Sequence, residues 1–194
     1  MPNSAAIGAN PARTHVTGNI KFDFELAPEV AARGRAWRAE QAALRPVWIG
    51  ASTHQDEEQV LIEAHRQVLE RRPDTLLVLV PRHPERFAAV AVLLQRSGLR
   101  SIRRSSGERC SPDTQVFLGD SMGELTMLYA GADVAFVGGS LVPIGGHNLL
   151  EPAALGLPSL TGRYNFNAPD IAELLTAEGA TIVVQDASHI AAEI

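Results

Sequence analysis

The sequence predicts an α/β fold, a Rossmann-like parallel sheet with helices on both faces. Three observations carry this. Short apolar runs such as Val47-Trp48-Ile49 read as strands buried on both sides. Segments with helical spacing separate them. The glycines, hydroxyls and cations that a plain connector does not need cluster where those runs end. Parallel sheets bind ligands at the carboxyl ends of their strands.

The elements follow in order. Ala31 to Arg45, rich in Ala and Arg, reads as a surface helix, and Val47–Ile49 as the first strand, ending at Gly50. Ser52, Thr53 and then Asp56, Glu57 and Glu58 are helix-start chemistry, because hydroxyls and acids answer free backbone N–H groups. Val60, Leu61, Ala64 and Val68 continue at helical spacing. Thr75 to Val80 is a second buried strand, stopped by Pro81. Phe87, Val90, Ala91 and Leu94 give a helix closed by Gly98, and Gln115 to Leu118 a strand. Ser121 and Glu124 have capping-box spacing for a helix through Tyr129. Val134 to Val137 is a strand, Asn148 to Leu155 a short helix, and Pro158 to Leu160 a strand. A helix over Ala168 to Glu178, a strand over Thr181 to Val184 and a helix from Ser188 complete the series.

The chain has 194 residues, 45% of them hydrophobic, enough to bury the core of one domain. Residues 1–16 read as a linker or boundary segment and 17–194 as the domain. A net charge of -5 argues against non-specific nucleic-acid binding, which needs clustered cations. The basic run Arg96, Arg100, Arg103, Arg104 and Arg109 reads as a solvated turn or as a contact for an anionic lipid surface or partner. One cysteine, Cys110, in a polar stretch permits no internal disulfide, points to a reducing compartment and reads as a free surface thiol. No apolar run approaches the roughly 20 residues of a membrane helix, and no signal peptide is visible.

Four elements carry candidate chemistry. Gly50-Ala51-Ser52-Thr53-His54 is a helix cap or an anion site. Pro81-Arg82-His83-Pro84 presents Arg82 on a rigid turn, suited to a phosphate or carboxylate unless a nearby acid pairs it. Val137 to Asn148 holds two Gly-Gly pairs, Gly138-Gly139 and Gly145-Gly146, flanking an apolar bridge and running into a helix. Glycine lets backbone approach a ligand closely. This is neither a dinucleotide fingerprint nor a P-loop. Glu151, in the first turn of that helix, either receives ribose hydroxyls or complements the helix dipole. Asn165, Phe166 and Asn167 form a loop that orders on ligand binding or is a capped turn. The six histidines are scattered with no i, i+4 pair around an acid, so metal binding is not expected.

Six segments in order resemble the 3-deoxy-D-manno-octulosonic acid (Kdo) transferases of Gram-negative bacteria. They are Thr17 to Asp23, Ala51 to His54, Pro81 to Phe87, Leu118 to Leu125, Phe136 to Asn148, and Glu151 to Ala154. The match runs from about Thr17 to Ala180. The resemblance implies the C-terminal domain of a two-domain GT-B glycosyltransferase, cut before that domain's usual end. Such an enzyme moves Kdo from CMP-Kdo to lipid A precursor in lipopolysaccharide biosynthesis, by inverting transfer with neither metal nor cofactor.

The implied donor site comprises Ser52, Arg82, Met122, Gly123, Gly138, Gly139, Ser140, Gly145, Gly146, Asn148 and Glu151. In this reading backbone of Gly138 to Ser140 and Gly145 to Asn148, with Arg82, holds the departing phosphate. Glu151 takes the ribose, and the loop at Ser121, Met122 and Gly123 lies on the cytidine side. The catalytic base, the acceptor site and the membrane-associating segment belong to an N-terminal domain outside this sequence. The full-length protein is then expected at the cytoplasmic face of the inner membrane, with this fragment soluble and inactive alone. Other readings are a GT-B donor domain for a UDP- or GDP-sugar, or a nonenzymatic nucleotide- or partner-binding module. A Rossmann oxidoreductase is disfavoured because G-x-G-x-x-G is absent.

Overall fold

A computed structural model of the protein describes Asn10 and residues 26–194. The Thr17 to Asp23 segment and the linker, Asn10 excepted, lie outside the described residues. Seven parallel strands form one sheet: β1 Val47–Thr53, β2 Leu76–Pro81, β3 Ser101–Arg103, β4 Val116–Leu118, β5 Val134–Val137, β6 Ser159–Thr161 and β7 Thr181–Val183. Among the described residues seven α-helices connect or flank them: α1 Pro28–Gln41, α2 Glu57–Arg71, α3 Phe87–Ser97, α4 Leu125–Ala130, α5 Leu150–Ala154, α6 Pro169–Ala177 and α7 Ala187–Glu193. The strand order is β3-β4-β2-β1-β5-β6-β7. From β1 the chain proceeds outward on one side through β2, and from β5 outward on the other. The order reverses between β1 and β5, so their carboxyl ends border the crevice where such sheets receive ligands.

Alternation along the central strands builds two cores. Trp48, Leu77, Leu79, Leu118 and Phe136 face α2, α3 and α7, meeting Leu61, Val68, Leu94 and Ile190. Val47, Ile49, Leu76, Val78 and Phe117 face α1 and α4, meeting Trp37, Met127 and Tyr129. All seven residues of β1 are buried, as expected of a strand covered on both sides. Trp37 and Phe117 add an edge-to-face contact at 5.4 Å.

Several sequence expectations change. Strand β1 runs on to Thr53, so Ser52 and Thr53 are buried strand residues and not the cap of α2. That helix starts at Glu57, after Asp56 in the left-handed region. The capping box at Ser121 and Glu124 does not form. Glu124 itself occupies the N-cap position of α4 without a side-chain capping bond, its carboxylate instead accepting from Ser121 and Arg104. Strand β3 was not foreseen, because Ser101-Ile102-Arg103 offers one apolar residue. Cys110 is half-buried, and burial pushes its thiol up to about 11, so it is neither a surface thiol nor a ready nucleophile. The basic run is largely neutralised: Arg103 pairs with Asp120, Arg104 with Glu124 and Arg109 with Glu40.

One polar group inside the first core is held in a single protonation state. His65 on α2 is fully buried, accepting from Trp48 Nε1 at Nδ1 (3.1 Å) while Nε2 meets the carbonyl of Gln115 (2.8 Å). Since the indole N–H only donates, the imidazole is neutral with its proton on Nε2. Burial lowers its pKa to about 4. A folded pKa below the unfolded value means that stability is complete above about pH 6.5 and is lost as pH falls toward 4. His65 alone should remove about 2 kcal/mol between pH 7 and pH 5. Urea unfolding at the two pH values measures the loss, and His65→Gln should remove a large part of the step. An equal pH step in both proteins would assign the acid sensitivity elsewhere.

Candidate functional site

The site forms where β1, β2 and β5 end, and one buried carboxylate organises it. Glu57, the first residue of α2, is wholly buried. Its Oε2 accepts from the amides of His54 (2.9 Å) and Gly139 (2.7 Å). Its Oε1 accepts from those of Ser140 (3.0 Å) and Leu141 (2.9 Å). Three successive amides of the glycine loop thus wrap an internal anion, the loop being a nest of N–H donors. A Cβ on Gly138 would stand 2.6 Å from the Ser52 carbonyl oxygen and 2.9 Å from Glu57 Oε2, so only glycine admits this approach.

This changes the part expected of Gly138 to Ser140. The Gly138 amide bonds the Ala51 carbonyl, and those of Gly139 and Ser140 are taken by Glu57. Ser140 Oγ donates to Val137 and accepts from the Gly162 amide. Every donor of this tripeptide is spent inside the protein, leaving none for a phosphate. The segment shapes the crevice instead. At the loop's far end, the amides of Gly145 and Gly146 both reach the Gly139 carbonyl, and His147 N reaches that of Gly138. Asn167 Nδ2 donates to the carbonyls of Ile144 and Gly146, and its own amide to Gly145. Asn165 is likewise spent on Thr161 and Gly162. The Asn165–Asn167 loop is therefore a clamp on the glycine loop, leaving Phe166 exposed.

Arg82 follows β2 directly. Its amide is pinned to the Thr53 carbonyl (2.9 Å), and a single 3-10 turn, Pro84–Arg86, comes next. Arg86 closes that turn onto the protein through a two-pronged ion pair with buried Glu58, both contacts 3.0 Å. Burial raises the Glu58 carboxyl's pKa, and Arg86 opposes the rise. The guanidinium of Arg82 is exposed and has no hydrogen-bond or ion-pair partner among the described residues. A fixed, unneutralised arginine at a sheet's carboxyl edge is equipped to receive an anion.

Glu151, in the first turn of α5, is partly buried and accepts from Asn148 Nδ2 (3.2 Å), while Asn148 Oδ1 accepts the Leu150 amide. Burial raises the Glu151 pKa, against the Asn148 bond and the charge of Arg82. Arg82 and Glu151 thus share one electrostatic neighbourhood without forming a salt bridge. Beyond β4, Asp120 fixes the next loop by accepting from Ser105 N, Ser105 Oγ and Arg103 Nε. Burial pushes the Asp120 carboxyl up, but these bonds outweigh it and hold the group below the usual carboxylate range. Met122 then projects with 60% exposure, followed by Gly123 at φ 79°.

All eleven residues expected at the site therefore lie at or just beyond the carboxyl ends of β1, β2, β4 and β5. Ser52 is buried at the end of β1 with φ 53° and shapes backbone there. Sequence reasoning missed Glu57, whose place at a helix start reads as ordinary dipole chemistry, and the gathering of three histidines. His54 Nε2 lies 2.8 Å from His147 Nε2 with the rings nearly parallel, and His83 meets His54 edge-on at 5.3 Å. Glu57→Gln replaces two acceptor oxygens by one and sets an NH2 against amide donors. It should cost about 3 kcal/mol and release the Gly139, Ser140 and Leu141 amides to hydrogen exchange. Urea unfolding and exchange mass spectrometry test this, and unchanged protection of those amides would contradict the clamp.

No protein-family profile matches the chain. A 3-deoxy-D-manno-octulosonic acid transferase of Haemophilus influenzae is 47% identical over 171 residues, 88% of this chain and 40% of that protein. One of Bordetella pertussis is 44% identical over 177 residues, 89% of this chain and 41% of that protein. The chain thus spans about two fifths of the length of these relatives. The crystal structure of the C-terminal CMP-Kdo binding domain of WaaA from Acinetobacter baumannii superimposes with a TM-score of 0.77 at 41% identity, covering 85% of this chain and 84% of that one. By this kinship and superposition the chain belongs to the Kdo transferase family and corresponds to its C-terminal domain.

Proposed function

We propose that this domain binds the CMP-Kdo donor of a GT-B glycosyltransferase that moves Kdo to lipid A precursor in lipopolysaccharide biosynthesis. The observation that carries the reading is Arg82, an unpaired cation among the described residues, on a braced turn after β2, one strand away from the β1–β5 switch point. The likeness to a domain described as CMP-Kdo binding supports the choice of nucleotide. The uncommitted state of Arg82 also disfavours a nonenzymatic module in which the site's charges cancel internally.

In this reading Arg82 engages the phosphate, and Glu151, held by Asn148, accepts ribose hydroxyls. Met122 and Gly123 present an apolar, glycine-hinged surface to the base. Gly145, Gly146 and Asn148 line the far end of the glycine loop, which Gly138, Gly139 and Ser140 hold in place, and Ser52 shapes the backbone at the end of β1. An acceptor hydroxyl attacks the anomeric carbon and gives its proton to a base supplied by the N-terminal domain. The anomeric C–O bond to phosphate breaks, and CMP leaves with the electron pair. Arg82 stabilises charge that grows on the phosphate as that bond breaks, so it contributes more in the transition state than in the ground state. Inversion follows from the single displacement, and no metal or cofactor takes part.

The acceptor site and the membrane contact lie in the part of the relatives that this chain does not span, and the complete enzyme works at the cytoplasmic face of the inner membrane. No helix among the described residues is long and apolar enough to cross a membrane.

Titration calorimetry of this chain with CMP, UMP and GMP tests the assignment. CMP should bind tightest, Arg82→Ala should weaken it roughly 10- to 100-fold, and Glu151→Gln should weaken it less. Preference for UMP or GMP, or unchanged affinity in both variants, would refute it.

A further inference from the structure

The three histidines that face the crevice are spent on no structural task as His65 is. His54 follows β1 and His147 ends the glycine loop, 93 positions apart in sequence, yet their Nε2 atoms are 2.8 Å apart. Two nitrogens bound to one zinc ion stand farther apart, roughly 3.3 Å for tetrahedral bonds of about 2.0 Å, so this contact is a hydrogen bond and not a metal bridge. One ring must donate and the other accept. The accepting ring then carries its own proton on Nδ1, and the donating ring has a bare Nδ1. Neither Nδ1 has a hydrogen-bond partner among the described residues. The neutral pair therefore offers one N–H donor, and a single added proton makes it two, with a positive charge.

We propose that His54 and His147 act as one unit that recognises the donor's anionic group by taking up a proton as the anion arrives. The proposal rests on the donor-site assignment above. Geometry explains why the pair is empty of that proton beforehand. Both rings are half-buried, and the Glu57 carboxylate, whose oxygens are spent on four amides, favours a charge on His54 but is outweighed by that burial. Arg82 and His83 oppose a charge on either ring, and Arg86 opposes one on His54. Burial and these neighbours lower His54 and bring His147 to about 4. An anion that engages Arg82 offsets one of the opposing charges and supplies an attractive one. An opposite charge at such range raises an imidazole by about 1–3 units, enough to reach the neutral region. The added proton comes from solvent, and the bare Nδ1 of the donating ring receives it.

The consequence is pH-linked affinity. Uptake on binding means that the complex is favoured by protons, so affinity falls as pH rises. The probe is the methyl phosphodiester of CMP, whose phosphate keeps one fixed charge across this range, as the donor's does. Calorimetry of the 194-residue chain in buffers of different ionisation enthalpy counts the protons. Uptake should approach one proton per ligand near pH 6 and fade toward pH 8, with affinity falling roughly tenfold over that span. His147→Gln keeps a hydrogen-bonding group beside His54 and should abolish most of the uptake and flatten the pH dependence. Imidazole 15N shifts of His54 and His147 in the unaltered protein should move to the charged form on binding, which needs no variant. Binding without proton uptake or without that shift overturns the inference and leaves the donor-site assignment standing. Absence of binding at every pH overturns both.

Discussion

The site depends on the burial of the Glu57 carboxylate between two loops that diverge from adjacent strands. A buried carboxylate is costly unless hydrogen bonds answer it. Here four amides do, one from the end of β1 and three from the loop after β5. The same four bonds meet the backbone's own requirement, since a tight glycine loop has no regular ladder to satisfy its N–H groups. Helix α2, strand β1 and strand β5 are thereby locked at the place where the strand order reverses. Everything a ligand could meet there inherits that register: the His54 ring, the far end of the glycine loop, and the separation between Arg82 and Glu151.

Two carboxylates adjacent in sequence divide the labour. Glu57 fixes the glycine loop, while Glu58 turns the other way and fixes Arg86. Through Arg86 the turn carrying Arg82 is braced, so the Arg82 side chain stays uncommitted while its backbone is held. Preorganisation of this kind lowers the ordering cost of binding. A cation on a loose loop would give part of its interaction back as lost entropy.

The sheet and most helices were legible in the sequence because burial on both faces leaves a strong mark, as in Val47–Ile49 and Leu76–Val80. Strand β3 left none, since an edge strand can survive on one apolar residue such as Ile102. Arg82, Glu151 and the glycine pairs were legible as candidates, because prolines and glycines around a charged residue signal a shaped loop. The internal use of the Gly139 and Ser140 amides was not, for an acid at the start of a helix looks the same whether it faces solvent or a buried nest. Nor was the meeting of His54 with His147, which arises only from the pairing of β1 with β5. Local pattern carries propensity and burial, whereas these contacts follow from the order of strands.

The sheet also ends in a particular way at its two margins. The outermost strands, β3 and β7, are three residues each. An open strand presents unpaired N–H and C=O groups, and a long one templates pairing with a neighbouring molecule. Three residues present too few such groups to hold a foreign strand in register. On the β3 side Arg103 is half-exposed and polar, paired with Asp120, whereas on the β7 side Ile182 and Val183 are apolar and exposed. The domain's resistance to fibrillar self-assembly therefore rests unequally on its two borders, and lengthening β7 by a few β-branched residues is the change that would turn a harmless margin into an adhesive one.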